Sequence, residues 1–289
     1  MTKRTPPGTN SIIQWLKDWL PALPLLVIAY GLLVMPIAGL LIQSVMSEGQ
    51  FTLAHWLEAL TSPINQRAIL TSITLGIVSA TISLIIGSPI AWFISRMASG
   101  QRSLWLAALN TATNFGGISL AFGFVAILGT YGMLTLFLQQ LTIPFIPPAS
   151  GSFWGLIMAY AFTDIPLFVL VTVPGMGMLR QEWWEAAQTS GATQWQFWRS
   201  VGLPLLAPFL GAGWVLIFTW SIGLYALPLA LGGGAARNVF LITLQIGNTL
   251  EANVSGPGES AVLSMLLLLL AGFSLITYRL MLQRAARWF

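Results

Sequence analysis

The chain has 289 residues, of which 56% are hydrophobic and only 7% are charged, and its formal net charge is +4. Soluble domains carry about 25% charged residues, so this composition excludes a soluble enzyme, a nucleic-acid-binding module, a coiled coil and a disordered protein. The lack of cysteine in the sequence excludes a disulfide framework, a thiolate metal site and a cysteine nucleophile.

Six apolar segments are long enough to cross a hydrocarbon core of about 30 Å. They predict an all-α membrane protein with six transmembrane helices, at Leu20–Met46, Ala68–Ile94, Leu104–Leu128, Phe153–Met178, Leu205–Leu231 and Ala261–Leu282. We therefore expect a transmembrane domain over residues 20–282 and a basic cytoplasmic tail over residues 283–289. Residues 1–19 form a cytoplasmic segment that is either a helix in the membrane interface or the first turn of span one. The outer connections, about residues 47–67, 129–152 and 232–260, are short loops rich in Gly, Pro, Ser and Thr.

The positive charges indicate the orientation. Ten of the twelve Lys and Arg residues lie on one side of the predicted spans, and only Arg67 and Arg237 lie on the other. Because cytoplasmic loops carry the excess of Lys and Arg, this distribution predicts that both termini are cytoplasmic.

The segment between the fourth and fifth spans, residues 179–204, is the one cytoplasmic connection with organised content. Gly191 stands where a left-handed residue would end a first short helix, and Thr193 with Gln196 predicts a capping box for a second. Pro204 is expected to close that second helix before span five begins. The sequence thus predicts two short helices with a sharp bend between them.

A spaced motif runs through this segment. Glu185-Ala186-Ala187 is followed after three residues by Gly191, and nine residues later by Val201 and then Leu203-Pro204. This pattern resembles the E-A-A loop of the permease subunits of binding-protein-dependent ABC importers, and it departs from the family only by Val201 where the family has Ile. The matching positions are Glu185, Ala186, Ala187, Gly191, Leu203 and Pro204.

The resemblance implies the type I ABC importer (MetI-like) fold and a role for each motif residue. The loop would dock in a groove of a separate ATP-binding subunit, with Glu185 as its polar anchor and the two alanines allowing close approach. Gly191 would permit the bend, and Leu203-Pro204 would fix the exit into span five. The alternative for Glu185 is a solvated charge early in a helix.

The same resemblance implies the partners and the location. They are a dimer of ABC ATPase subunits that binds ATP, a second permease that is identical or homologous, an external solute-binding protein and membrane lipid, with no nucleic acid and no cofactor in this chain. The location is the bacterial cytoplasmic (inner) membrane. The sequence has no Walker A motif, so we expect the chain to be no enzyme by itself and to work by alternating access.

Four further residues are candidates for the translocation path or a gate. Asp164 is the only ionisable residue well inside a span, and it either lines the path or caps a helix restarting at Pro166. Asn114 lies one turn after Asn110, and these two either line the path or bond across helices. Tyr225 and Pro228 resemble the outer end of span five in permeases of the polyamine, ferric iron, thiamine and phosphonate group, where they would lie near the outer gate. The alternative for these two is a lipid-facing Tyr and a tolerated Pro.

Two other classes of function fit less well. An ion-gradient-driven secondary transporter predicts several intramembrane ionisable groups or broken helices related between two halves, and it leaves the Glu185–Pro204 pattern unexplained. An intramembrane hydrolase needs paired catalytic side chains within the spans, whereas the single His55 belongs to an outer connection.

Overall fold

The computed structural model describes residues 22–47, 49–129, 131–141, 151–232, 239–252 and 256–285. The predicted interfacial segment at residues 1–19 and the orientation marker Arg237 therefore lie outside the described residues. Within them the helices are α1 Leu23–Val45, α2 Ala54–Thr61, α3 Pro63–Ser95, α4 Ser99–Asn114, α5 Ile118–Leu128, α6 Met133–Gln140, α7 Phe153–Met176, α8 Gln181–Thr189, α9 Gln194–Phe197, α10 Leu203–Gly223, α11 Ala226–Gly232, α12 Ile242–Ala252 and α13 Gly256–Ala285. A π-helical turn, Trp198–Gly202, joins α9 to α10, and strands β1 Met46–Ser47 and β2 Gln50–Phe51 pair antiparallel.

Six helical stretches are long and apolar enough to cross a membrane, which confirms the predicted class and number of spans. They are Leu23–Val45, Pro63–Ser95, Ile118–Gln140, Phe153–Met176, Gln194–Gly223 and Pro257–Gln283.

The predicted bounds of the third span are wrong. Helix α4 ends at Asn114, and α5 begins only after Gly117, whose φ is +67°. A side chain with a Cβ adopts this left-handed region only at a cost, so Gly117 lets the chain change direction between the two helices. The predicted span runs across the polar residues Asn110, Thr111, Thr113 and Asn114 before the break, and α4 is far less apolar than α5.

The predicted fifth span also needs correction. Helix α10 stops at Gly223, and Leu224 and Tyr225 separate it from the short helix α11, so the fifth predicted span is also interrupted. The outer connections contain helices α2, α6 and α12. Helix α13 continues to Ala285 and residues 286–289 lie outside the described part, so the basic cytoplasmic tail over residues 283–289 stays a prediction.

Helix α3 lies at the centre of the bundle, between α7 and α10. Its buried face is made of small side chains, which let neighbouring backbones approach closely and so increase van der Waals contact without a hydrophobic driving force. The small buried residues of α3 are Ala68, Ser72, Gly76, Ser79, Ala80, Ser83, Gly87 and Ala91.

A close helix crossing depends on Gly213 of α10. A side-chain carbon built on Gly213 would lie 2.7 Å from Thr172 Cγ2 and 3.0 Å from Cε2 of Phe168, a fully buried ring. We expect Gly213→Val to lower the free energy of unfolding by about 1–3 kcal/mol, because α7 and α10 must move apart. Thermal unfolding of the purified chain in detergent measures the loss. Gly272→Val is the control, since a carbon built on Gly272 meets nothing within 4 Å; equal losses in both variants would contradict the crossing as the cause.

Candidate functional site

The segment between α7 and α10 has the predicted two helices and bend. Gly191 follows α8 with φ +77°, its N–H donates to the Gln188 carbonyl at 2.9 Å, and the Ala192 N–H donates to the Ala187 carbonyl at 3.0 Å. These two bonds form a Schellman motif, which satisfies carbonyls that the helix end leaves without partners. The expected left-handed residue and turn at Gly191 are confirmed.

The start of the second helix is also confirmed. The Thr193 N–H donates to Gln196 Oε1 at 2.8 Å, and the Gln196 N–H donates back to Thr193 Oγ1 at 3.3 Å. This reciprocal pair is the capping box that the sequence predicts, and it fixes the direction in which the chain leaves Gly191.

The positive φ of Gly191 predicts how substitutions at this position change stability. A side chain there would meet nothing within 4 Å, so any cost of substitution comes from the positive φ alone. We expect Gly191→Val to destabilise the segment by about 1–2 kcal/mol, whereas Gly191→Asn should lose much less, since Asn visits this region more readily. Hydrogen exchange of the α8 amides measures the difference. Equal protection in the two variants would contradict the assignment.

The second helix does not end at Pro204, contrary to expectation. Helix α9, the π-helical turn and α10 follow one another directly, and the Leu203 N–H donates to the Trp198 carbonyl five residues earlier. Pro204 stands at the first turn of α10, where a proline needs no N–H partner inside the helix. The bent segment and span five therefore form one helical run without a loop between them.

The motif residues are accessible in this chain. Glu185 and Ala186 are exposed on α8, Ala187 is half-buried, and Leu203 and Pro204 are exposed at the start of α10. Among the neighbouring aromatic rings Trp195 is 71% exposed, whereas Phe197 is buried under the segment. The surface thus presents an exposed carboxylate beside small side chains.

Asp164 is fully buried where three helices meet. Its Oδ2 accepts the hydroxyl of Ser79 on α3 at 2.5 Å and the hydroxyl of Ser221 on α10 at 2.8 Å, and the Thr163 hydroxyl lies 3.4 Å from Oδ1. Among the residues that the structure describes, no Lys, Arg or His forms an ion pair with this carboxylate. Asp164 therefore joins spans two, four and five through hydroxyl donors.

The expectation that Asp164 caps a restarting helix is wrong. Helix α7 runs without a break from Phe153 to Met176, and its N-terminal cap is Ser152, whose hydroxyl accepts from the Gly155 N–H at 3.2 Å. The neighbouring spans supply Asp164 with partners, so the helix need not restart to satisfy it. Its role in the path remains a prediction, and in this conformation the side chain is 0% exposed.

The other path candidates flank the two helix breaks. Asn114 is exposed at the end of α4, where its amide donates to the Asn110 carbonyl at 2.7 Å. Tyr225 lies in the break before α11, with its hydroxyl against Gly247 of α12, and Pro228 is buried in α11. The breaks adjoin, because a carbon built on Gly117 would lie 3.9 Å from Ala226 Cβ. Interrupted helices that meet in this way are typical of transport sites.

Several residues that matter in the structure were not predicted. Ser79 and Ser221 hold Asp164, and Arg96 at the end of α3 donates to the Leu179 carbonyl at 2.8 Å. A hydroxyl in an apolar helix is a weak signal for such partners, since most Ser and Thr in these spans bond to their own backbone. The pairing of Arg96 with Leu179 has no sequence signal.

The family and the relatives that this chain resembles are all components of transport systems. Residues 72–287 match the family described as "Binding-protein-dependent transport system inner membrane component". The chain is 31% identical over 240 residues to the sulfate transport system permease protein CysT of Salmonella typhimurium, covering 82% of each chain. It is 28% identical to the molybdenum transport system permease protein ModB of Mycobacterium tuberculosis, covering 73% of this chain and 78% of the relative. It is 26% identical to the spermidine/putrescine transport system permease protein PotB of Escherichia coli, covering 79% of this chain and 82% of the relative.

Solved structures share the fold. A bacterial ABC transporter involved in the import of the acidic polysaccharide alginate superposes with a TM-score of 0.68, over 96% of this chain and 99% of the solved chain. The sequence identity is 18%, so this likeness concerns the fold.

Proposed function

The chain belongs to the family of inner membrane components of binding-protein-dependent transport systems, and we propose that ATP-driven motion enters this permease through Glu185 on α8. As a member of this family it is the multi-pass translocation subunit of an ABC importer and has no ATPase site of its own. The observation that carries the proposal is the exposed pair Glu185 and Ala186 on α8, which the Schellman turn at Gly191 joins to the helical run of α9 and span five.

The working complex in this proposal contains four membrane-associated subunits and one external solute-binding protein. Two permeases, identical or homologous, enclose the path, and two ATPase subunits bind ATP and receive α8 on the cytoplasmic side. An external solute-binding protein delivers the substrate, and both termini of the permease are cytoplasmic. Closure of the ATPase dimer moves α8 and span five toward the outward-facing state, and hydrolysis returns the inward-facing state, which is alternating access.

The path in this proposal passes the adjoining helix breaks. Asn114 offers an uncharged amide at the end of α4, and Tyr225 with Pro228 forms part of the outer gate. Asp164 contributes by holding spans two, four and five together, because its carboxylate is already occupied by the hydroxyls of Ser79 and Ser221.

We propose small inorganic oxyanions, of the class of sulfate and molybdate, as the substrate. The sulfate permeases among the relatives support this class, since they reach 31% identity over 82% of this chain. A polyamine is the second candidate, on the strength of the spermidine/putrescine relatives at 26% identity. Polycations favour a path with accessible carboxylates, and the carboxylate of Asp164 in the spans is sealed from solvent.

Uptake by reconstituted complexes tests the substrate. The permease is purified with its ATPase subunit and with the solute-binding protein encoded beside it, and placed in vesicles. ATP-dependent uptake of radiolabelled sulfate or molybdate, without uptake of putrescine, is the expected result. Uptake of putrescine alone would overturn the oxyanion proposal and leave the permease function intact.

A further inference from the structure

The segment of residues 179–204, which we call the coupling segment, has a contact with the bundle that is independent of its own chain connections. Its covalent links run to α7 at one end and to α10 at the other, yet Arg96 at the end of α3 reaches it from span two. The Arg96 guanidinium donates to the carbonyl of Leu179, a residue that is buried just before α8. The two residues are 83 positions apart in sequence.

A chain of rings extends this contact. The Arg96 Cζ lies 4.1 Å above the centre of the Trp92 ring, and the Trp92 and Trp198 ring centres are 4.9 Å apart at an angle of 72°. Phe197 lies edge-on to Trp198 at 6.1 Å and to Trp184 of α8 at 5.2 Å. We call Arg96, Trp92, Trp198, Phe197 and Trp184 the aromatic strut. Both cation–π and edge-to-face ring contacts have preferred geometries, so the strut sets an orientation as well as a distance.

The backbone is shaped to admit this strut. A carbon built on Gly202 would lie 2.6 Å from Trp198 Cε3, so a glycine one turn after Trp198 leaves the room that its ring occupies. The π-helical turn starts at Trp198 itself, and such turns frequently mark functional positions in helices.

The far end of α3 is tied to the outer side of the bundle. Asn65 in the first turn of α3 is fully buried, and its amide donates to Glu259 of α13 at 2.7 Å and to the Ala59 carbonyl of α2 at 3.0 Å. Helix α3 has 33 residues and so is about 50 Å long. One helix therefore connects the coupling segment to α2, in the outer connection, and to the outer end of α13.

We infer that Arg96 and Trp92 are positioning residues that transmit the movement of α8 directly into span two. This inference rests on the proposed docking of α8 to the ATPase subunit. The strut makes span two move with the coupling segment. As a result, α2 and the outer end of α13 move when ATP binds, as spans four and five do. Without the strut, α8 still binds the ATPase subunit, but hydrolysis no longer moves span two.

The test compares uptake with ATP hydrolysis in the same vesicles. Arg96→Gln is expected to keep ATPase co-purification and hydrolysis while lowering substrate uptake per ATP about tenfold. Arg96→Lys and Trp92→Phe, which retain the charge and the ring, should recover part of that ratio. Arg279→Gln is the control, because it removes an exposed cation on α13, outside the coupling segment, and its uptake per ATP should equal that of the wild type.

Three results would overturn the inference. Unchanged uptake with unchanged hydrolysis in Arg96→Gln would show that the strut transmits nothing, whereas an equal fall of both rates would indicate damage to the whole complex. Loss of the ATPase subunit from both Arg96→Gln and Arg96→Lys would mean that the strut only holds the coupling segment in place for docking. A wild-type chain that binds no ATPase subunit would instead refute the docking role of α8, so the two failures are distinguishable.

Discussion

Glu185→Arg should abolish ATP-driven uptake while leaving the chain folded. Glu185 is exposed on α8, and substitutions at exposed positions change the free energy of unfolding by about 0.5 kcal/mol or less. A charge reversal at the anchor of an interface costs about 2 kcal/mol of binding or more, which is roughly 30-fold in Kd. Co-purification of the ATPase subunit and uptake in vesicles measure the loss.

Glu251→Arg is the matched control for this experiment. It makes the same charge change at an exposed position on α12, which belongs to an outer connection. The ATPase subunit should co-purify normally with this variant. Undiminished assembly and uptake in Glu185→Arg would remove α8 as the docking element and leave Glu185 as a solvated helix charge.

Asp164→Leu should destabilise the bundle more than any substitution on its surface. The change removes the acceptor of two cross-helix hydrogen bonds, from Ser79 and from Ser221, and hydrogen bonds to a carboxylate contribute about 1.5–3 kcal/mol each. Part of this is recovered, because Ser221 can still donate to the Ile217 carbonyl, which is 2.8 Å away. We expect a net loss of about 2–4 kcal/mol in the free energy of unfolding, measured by thermal unfolding in detergent.

Two serines on the same face of α3 provide the control for Asp164. Ser79→Ala removes one of the two bonds and should lower stability in the same direction. Ser83→Ala, one turn later, should have little effect, since the Ser83 hydroxyl has no hydrogen-bond partner within the described residues. For the conservative Asp164→Asn, substrate preference should stay unchanged. A changed preference with unchanged stability would assign Asp164 to the path instead.

The coupling segment was predictable because its signals are local. Gly191 determines its turn through its own backbone angle, and Thr193 finds its capping partner three residues away. The resemblance carried by Glu185–Ala187 also lies within one stretch of chain. Features of this kind can be identified from sequence because their conformation does not depend on residues far away in the chain.

The helix breaks and the polar contacts could not be predicted in the same way. Asp164 is held by Ser79 and Ser221, which lie 85 and 57 positions away, and only packing of three spans brings them together. The break at Gly117 follows a polar stretch at residues 110–114, but length and overall apolar content predict one continuous helix over Leu104–Leu128. Sequence shows that Asp164 is unusual in its span, but the arrangement of neighbouring helices determines whether it faces water.

The burial of Asp164 also bears on how this protein is inserted during synthesis. A single Asp at the centre of a helix raises the free energy of translocon insertion by about 2.5–3.5 kcal/mol. When α7 leaves the ribosome, Ser79 of α3 has already been made, whereas Ser221 of α10 has not. Span four therefore has one of its two hydroxyl donors available from the start. We expect α7 to enter the lipid as a pair with α3, and span five to join a pair of helices that is already assembled.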